Sequence, residues 1–304
     1  MTFMRAIFNP SCNRGRSAHL ALVLRDYLTA READTRIEWV ETRAPRHAIA
    51  LAQDASLNGC QTVIAIGGDG TVNEVINGLM QAGEAGRSTT LGVVPIGSGN
   101  DFAWSAGIPR DPLAAAARLF DGQIHMIDLG FIREAEGCER YFCNGCGVGF
   151  DAQVVLEIAR MRRRLGGFLM YLVGVLRTLA FHNEAPQLRI QLDERELVQR
   201  SMMLILGNGR RLGGGFLVTP QAEMDDGLFD VCIAGYLSRL GILMILPRFV
   251  RGTHVTHQQV RMERARRVSV ESPIPRAIHL DGEVFATAQS FEAEITPAAL
   301  RVRI

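Results

Sequence analysis

At 304 residues the chain is long enough for two domains with separate cores, and its 47% apolar and 21% charged content is that of an ordinary globular protein, not a disordered or membrane-embedded one. A net charge of +1 argues against a general nucleic-acid binder. All 33 basic residues are arginine, so every mechanism that needs a lysine is excluded, including the Gly-rich phosphate loop that ends in Lys-Ser/Thr.

Along the chain, Arg5-Ala6-Ile7-Phe8 reads as a first strand that ends at Asn9-Pro10, and a polar loop leads into a helix from about Ala18 to Arg31. Arg36 to Val40 alternates as a second strand ending at Glu41-Thr42, and Pro45 to Ala55 is helical. Thr62-Val63-Ile64-Ala65-Ile66 is a buried strand that empties through Gly67-Gly68-Asp69-Gly70-Thr71 into a helix marked by Val72, Val75, Ile76 and Leu79. Leu91 to Pro95 is a fourth strand, and it runs into a second Gly-rich turn, Gly97-Ser98-Gly99-Asn100-Asp101. Strands alternating with helices imply a doubly wound parallel α/β sheet, whose ligands sit beyond the carboxyl ends of the strands. Bare backbone N–H groups at a helix start suit phosphate, and two such turns in one domain say more than either alone.

After a helix near residues 113–120 the pattern changes to short strands separated by turns: 127–131, 141–144, 187–192, 202–206, 228–233, 267–270 and 277–280. This is a second, mostly β domain, a sandwich, over residues 129–289, with the first over residues 1–128. The tail, 290–304, is free by sequence to end the second domain or to pack back on the first. Two helical insertions interrupt the β region. Phe168 to Leu176 is strongly apolar but shorter than the roughly 20 residues that cross a bilayer. Leu240 to Val250 is shorter again and contains Pro247. Both read as core or cleft-lining helices. Arg160, Arg162, Arg163 and Arg164 beside the first also suit contact with an anionic membrane surface.

Six cysteines (Cys12, Cys60, Cys138, Cys143, Cys146 and Cys232) lack small-scaffold spacing, and the N-terminus has no signal peptide. Reduced thiols and a cytoplasmic protein, peripheral at the inner membrane face, are expected. Cys143-Asn144-Gly145-Cys146 has half-zinc-site spacing without a second pair, and it reads as a structural thiol pair.

Residues 67–75 together with Pro95 to Ala103 resemble the diacylglycerol kinase catalytic-domain family, which includes bacterial lipid kinases and the sphingosine and ceramide kinases. Asn9-Pro10, Thr42, Asn208, Gly213-Gly214-Gly215, Pro220, Ala222, Asp226-Gly227-Leu228 and Asp281-Gly282-Glu283 recur in the family's order. The resemblance implies an ATP-dependent lipid kinase with a nucleotide in a cleft between an NAD kinase-like α/β domain and a β-sandwich. Asn9, Thr42, Gly67, Gly68, Asp69, Gly70, Thr71, Val72, Asn73 and Ser98 would bind the nucleotide. A Ser-Gly pair is usual where Cys12-Asn13 stand here. The resemblance also implies Mg²⁺ held by the Asp226 carboxylate with the carbonyls of Glu223 and Leu228, while catalytic Mg²⁺ arrives with ATP.

Phosphoryl transfer needs charge neutralisation at the phosphates and a group that takes the hydroxyl proton. Asp281 and Glu283 share one face at the end of a strand, and either could be that group. The family resemblance favours Glu283, with Asp281 as its neighbour and a metal ligand, and Asp69 is the rival. Taken alone, Asp281-Gly282 is a type I′ turn. Diacylglycerol is the favoured acceptor by resemblance, although no residue identifies the lipid. The competing readings are an NAD kinase, which shares the Gly-Gly-Asp-Gly-Thr loop, and an inactive lipid-binding regulatory protein on the same fold.

Overall fold

The computed structural model describes residues 2–12, 17–30, 35–161, 167–181 and 184–304. The chain forms two compact units, Met1–Ile127 with Ala298–Ile304, and Asp128–Pro297. The first contains β1 (Thr2–Phe8), α1 (Ser17–Thr29), β2 (Thr35–Glu41), α2 (His47–Leu57), β3 (Thr62–Gly67), α3 (Asp69–Gln81), α4 (Glu84–Ser88), β4 (Thr90–Pro95), α5 (Asp101–Ser105) and α6 (Pro112–Asp121). Its strands run in the order β4-β3-β1-β2, and all of these pairs are parallel. Helices cover both faces of such a sheet, so β3 and β4 are buried along their whole length and read as unbroken apolar runs.

Local chemistry sets the helix starts. Asp111 accepts the Ala114 N–H ahead of α6, with Pro112 in its first turn. The start of α2 is capped from outside: Glu74 on α3 accepts the N–H groups of Arg46 and Ala48, which holds Arg46 at a φ of 67°. Gly78 lets α3 press against α2.

The second unit begins within β5 (Ile124–Glu134) and continues through β6 (Glu139–Phe142), β7 (Gly145–Gly149), α7 (Phe150–Arg160), α8 (Gly167–Phe181), β8 (Gln187–Leu192), β9 (Arg195–Arg200), β10 (Met203–Gly207), β11 (Phe229–Ala234), α9 (Arg239–Arg251), a 3₁₀ turn (Thr253–Thr256), β12 (Val260–Ala265), β13 (Arg267–Leu280) and β14 (Glu283–Arg303). It is a β-sandwich domain. The strand order is β12-β11-β10-β7-β13-β14, antiparallel throughout. The long β13 serves two neighbours, pairing β8 through Val268–Glu271 and β7 through Ile278–Leu280. Phe142 stacks on Phe229 in the core these strands enclose.

Some elements differ from expectation. The segments expected separately at 267–270 and 277–280 are one strand with an irregularity between Glu271 and Arg276. The tail is the end of one long strand, β14. It stays paired with β13 through Glu294, so residues 290–297 belong to the second unit. Only Ala298–Ile304 returns to the first, where Arg301 and Val302 pair in parallel with Thr90 and Leu91. The units divide one residue before the expected position, at Ile127. β9 and β12 have no clear sequence signal. Arg162, Arg163 and Arg164 lie outside the described residues. No helix among the described residues is long and apolar enough to cross a membrane.

Gly78→Ala tests the helix packing. Helix propensity alone would favour alanine by about 1 kcal/mol. A Cβ at Gly78, however, would stand 2.2 Å from the Ile49 carbonyl oxygen, a backbone atom that cannot rotate away. The expected net result is a loss of about 1–3 kcal/mol, read as a lower urea midpoint with unchanged m-value. A midpoint equal to or above that of the wild type would contradict it.

Candidate functional site

In the first unit the two Gly-rich turns meet backbone to backbone. A Cβ on Gly97 would stand 2.4 Å from Gly68 Cα, so no larger residue fits there without moving the loops apart. Asp69, in the first turn of α3, accepts the Phe102 N–H at 3.1 Å and so ties one turn to the other. Asn100 adopts a left-handed φ of 55°, and its side chain brackets the Gly97 N–H and carbonyl at 3.0 and 2.9 Å. Asn9 donates to the Thr71 hydroxyl at 2.9 Å and accepts the Ser11 N–H. Thr42 donates its backbone N–H to the Phe8 carbonyl. Cys12 faces Gly68, and burial pushes its thiol pKa up.

The expected nucleotide residues divide by exposure. Gly68, Asp69 and Gly70 are half-buried and Ser98 is exposed. Thr71, Val72 and Asn73 are buried. Thr71 supports the turn from beneath, filling the space a Gly67 side chain would need. Val72 lies in the core, and Asn73 accepts from the Asn77 side chain. Among the expected side chains, those of Asn9, Thr42, Asp69 and Ser98 are not buried. The N–H groups of Gly70 and Thr71 lie ahead of the first helical bond, Val72 N–H to Gly68 carbonyl, at the positive end of α3.

In the second unit, Asp281 and Gly282 have φ values of 49° and 83° and join β13 to β14 as a two-residue hairpin turn. The Asp281 carboxylate accepts the N–H groups of Cys143, Asn144 and Gly145 at 2.8–2.9 Å, and its own N–H donates to the Gly145 carbonyl. The Cys143 thiol also donates to it, at 3.2 Å. Both carboxylate oxygens are thus committed to holding the turn. Glu283 is different: its side chain is 41% exposed, and its Oε2 accepts from Arg140 at 3.0 Å. All six cysteines are free thiols, Cys143 and Cys146 included.

Of the expected metal ligands, the Asp226 carboxylate already has protein partners. Asp226 accepts the Leu228 N–H on one oxygen and pairs with Arg264 on the other, and Arg264 also reaches Asp230 at 3.3 Å. A guanidinium supplies the positive charge that a divalent ion would bring. No group of three or more His, Cys, Asp or Glu side chains suited to a metal occurs among the described residues.

Three residues with no part in the sequence reading stand out. Asp151 and His279 are buried and paired at 2.5 Å, and Tyr171 donates its hydroxyl to the second Asp151 oxygen. Burial works to raise the Asp151 pKa, but the His279 ring and Tyr171 hydroxyl hold it below the usual carboxylate range. Asp151 and Tyr171 also wall a narrow cavity of about 50 Å³ that is otherwise apolar, lined by Val175, Met203, Phe216, Ile242, Ile245 and Phe249. The available signal for Asp151 was its place after a Gly-rich strand at a helix start, the same punctuation that marks Asp69. His279 lies on β13, two residues before Asp281 of the turn. Arg140 carries no local signal.

The diacylglycerol kinase catalytic domain model matches residues 4–132, and the YegS C-terminal NAD kinase beta sandwich-like domain model matches residues 145–304. The diacylglycerol kinase of Mycobacterium tuberculosis (strain ATCC 25618 / H37Rv) is 36% identical, covering 84% of this chain and 80% of that protein. A Chromohalobacter salexigens protein named "Probable lipid kinase YegS-like" is 33% identical over 94% of this chain and 89% of its own. The diacylglycerol kinase of Bacillus subtilis (strain 168) is 31% identical over 92% and 89%. A crystal structure of a diacylglycerol kinase from Bacillus anthracis str. Sterne superposes with a TM-score of 0.73 at 18% identity, covering 99% of this chain and 96% of that one. At that identity it speaks for the fold alone.

Asp230 generates a pH prediction. Burial and the neighbouring Glu223 push its carboxyl up to about 6, against Arg210. Between about pH 4 and 6 the folded state keeps a proton that the unfolded chain has released, so stability falls as pH rises through that window. The expected loss is on the order of 2–3 kcal/mol. Asp230→Asn is expected to flatten urea midpoints between pH 4.5 and 7 and to raise the midpoint at pH 7. An unchanged slope would refute it.

Proposed function

Since this chain belongs to the diacylglycerol kinase family, we propose that it transfers the γ-phosphoryl group of ATP to a lipid hydroxyl, with a diacylglycerol-like acceptor. The observation that carries the reading is the division of labour among three candidate carboxylates. Asp69 ties two loops together and Asp281 holds a turn with both oxygens, whereas Glu283 is left exposed beside Arg140. A proton acceptor needs an accessible lone pair more than a shifted resting pKa.

In this reading the N–H groups at the start of α3, with Asn9 and Ser98, hold the ATP phosphates, and the helix end offsets their charge. ATP arrives as its magnesium complex, whose ion neutralises the charge on the transferred group. Glu283 takes the hydroxyl proton as the lipid oxygen bonds the γ-phosphorus. The bond from the γ-phosphorus to the β–γ bridging oxygen breaks, and ADP leaves. Arg140 keeps Glu283 oriented toward the acceptor.

The test is labelled ATP with magnesium and a panel of lipids and nucleotides, diacylglycerol among them. Glu283→Gln is expected to lower kcat by about 10²–10⁴-fold, the usual range for loss of a general base, with the thermal midpoint unchanged. Full activity in that variant would remove Glu283 from the mechanism. Transfer to NAD in preference to every lipid would replace the reading with a nucleotide kinase.

We also propose that α8 and α9 meet the membrane surface. Neither helix contains an acidic residue, and Leu176, Phe181, Leu240 and Met244 are exposed beside Arg239, Arg248 and Arg251. Exposed apolar side chains among arginines match the headgroup layer of an anionic bilayer. Phe181→Glu combined with Met244→Glu is expected to reduce binding to phosphatidylglycerol-containing vesicles at least tenfold. Turnover of a water-soluble short-chain diacylglycerol should stay unchanged. Undiminished vesicle binding would refute the surface.

A further inference from the structure

Asp151, His279 and Tyr171 form a buried polar chain that ends on the backbone of the turn carrying Glu283. The Gly282 N–H, between Asp281 and Glu283, donates to His279 Nδ1 at 3.3 Å. With Nδ1 as acceptor, the ring proton lies on Nε2 and faces Asp151, whose other oxygen takes the Tyr171 hydroxyl. The chain thus starts on α8, crosses the first turn of α7 and finishes on the hairpin. Gly147 of β7 makes room for it: a Cβ there would stand 2.2 Å from His279 Nε2 and 2.5 Å from Asp151 Oδ2.

Hairpin stability alone does not require this arrangement. Asp281 already fixes one side of the turn through the backbone N–H groups of residues 143–145, and two left-handed residues complete it. A buried, fully desolvated carboxylate is a costly way to add one more backbone contact. Its location is what distinguishes it, because Asp151 and Tyr171 also form the polar wall of the apolar cavity.

We infer that His279 and Asp151 are positioning residues for Glu283: they hold the Gly282 peptide and so aim the side chain that follows it, and Tyr171 ties that aim to the wall of the apolar cavity. The inference rests on Glu283 as proton acceptor. It assigns no direct contact with a substrate to His279 or Asp151. Loss of the aim therefore shows in the chemical step and spares substrate affinity, as when a reacting group is displaced by a fraction of an ångström.

Two histidine variants separate the contacts. Glutamine at 279 can still donate toward Asp151 from about the position of Nε2 but offers Gly282 no acceptor. Asparagine can offer an oxygen near the position of Nδ1 but cannot reach Asp151. In the full chain, His279→Gln is expected to lower kcat roughly 10- to 100-fold, with KM for ATP and lipid within about twofold. It should also speed amide exchange in the peptide spanning residues 278–286, leaving residues 290–296 of β14 protected. His279→Asn should recover most of the protection at Gly282. Tyr171→Phe should give a smaller loss in kcat, largest with long-chain acceptors. Unchanged exchange at 278–286 in His279→Gln overturns the inference, as does faster exchange with unchanged kcat. Losses in both histidine variants that follow only their thermal midpoints would also overturn it. If the wild type phosphorylates no lipid, the kinase reading fails, and the exchange comparison by itself decides whether His279 holds the turn.

Discussion

The carboxylate of Asp281 accepts three successive backbone N–H groups at the start of β7, and the hairpin turn that precedes Glu283 depends on that contact. These donors precede a strand, so their N–H groups need partners before the regular ladder begins. One charged side chain satisfies all three and anchors a turn that would otherwise be an ordinary hairpin end. The same contact commits both Asp281 oxygens to backbone donors. The turn is therefore both a structural device and the mount for Glu283. The hairpin reading and the chemical reading of Asp281-Gly282-Glu283 are compatible.

The first unit solves a similar problem with less charge. Gly68 and Gly97 approach so closely that side chains are excluded, and Asp69 links the two turns through the N–H of Phe102. What remains on the outside is backbone and a few short polar groups, a surface suited to an oxygen-rich anion and poor at reading its identity. Thr71, conspicuous in the sequence as part of a phosphate loop, acts from beneath as a support for Gly67 and a partner for Asn9. Across both units, acids that look equivalent in sequence are separated by what their oxygens already hold. At Asp226 the carboxylate pairs with Arg264.

Much of the α/β unit is legible because fully buried parallel strands appear as continuous apolar runs, and Gly-rich turns punctuate them. Thr62 to Ile66 and Leu91 to Val94 are such runs. β7 escapes that logic. Gly145-Cys146-Gly147-Val148-Gly149 has little intrinsic strand preference, and it is a strand because β10 and β13 bind both its edges. Its central glycine answers to a histidine 132 positions later, a demand no local window contains. The exposed β9 and β12 are likewise strands by pairing, because charged residues interrupt their apolar pattern.

By itself the sequence determined the two-domain plan, the pair of glycine turns and the small set of acids from which a phosphotransfer site could be drawn. These follow from short-range rules of periodicity, backbone freedom and turn chemistry. Only the tertiary structure decided what each acid's oxygens hold, which arginine stands beside Glu283 and which buried pair supports the turn. Those outcomes depend on hydrogen bonds between residues more than a hundred positions apart, such as Arg140 with Glu283 and Asp151 with His279. A carboxylate's role is set by its partners, and its partners are set by the fold.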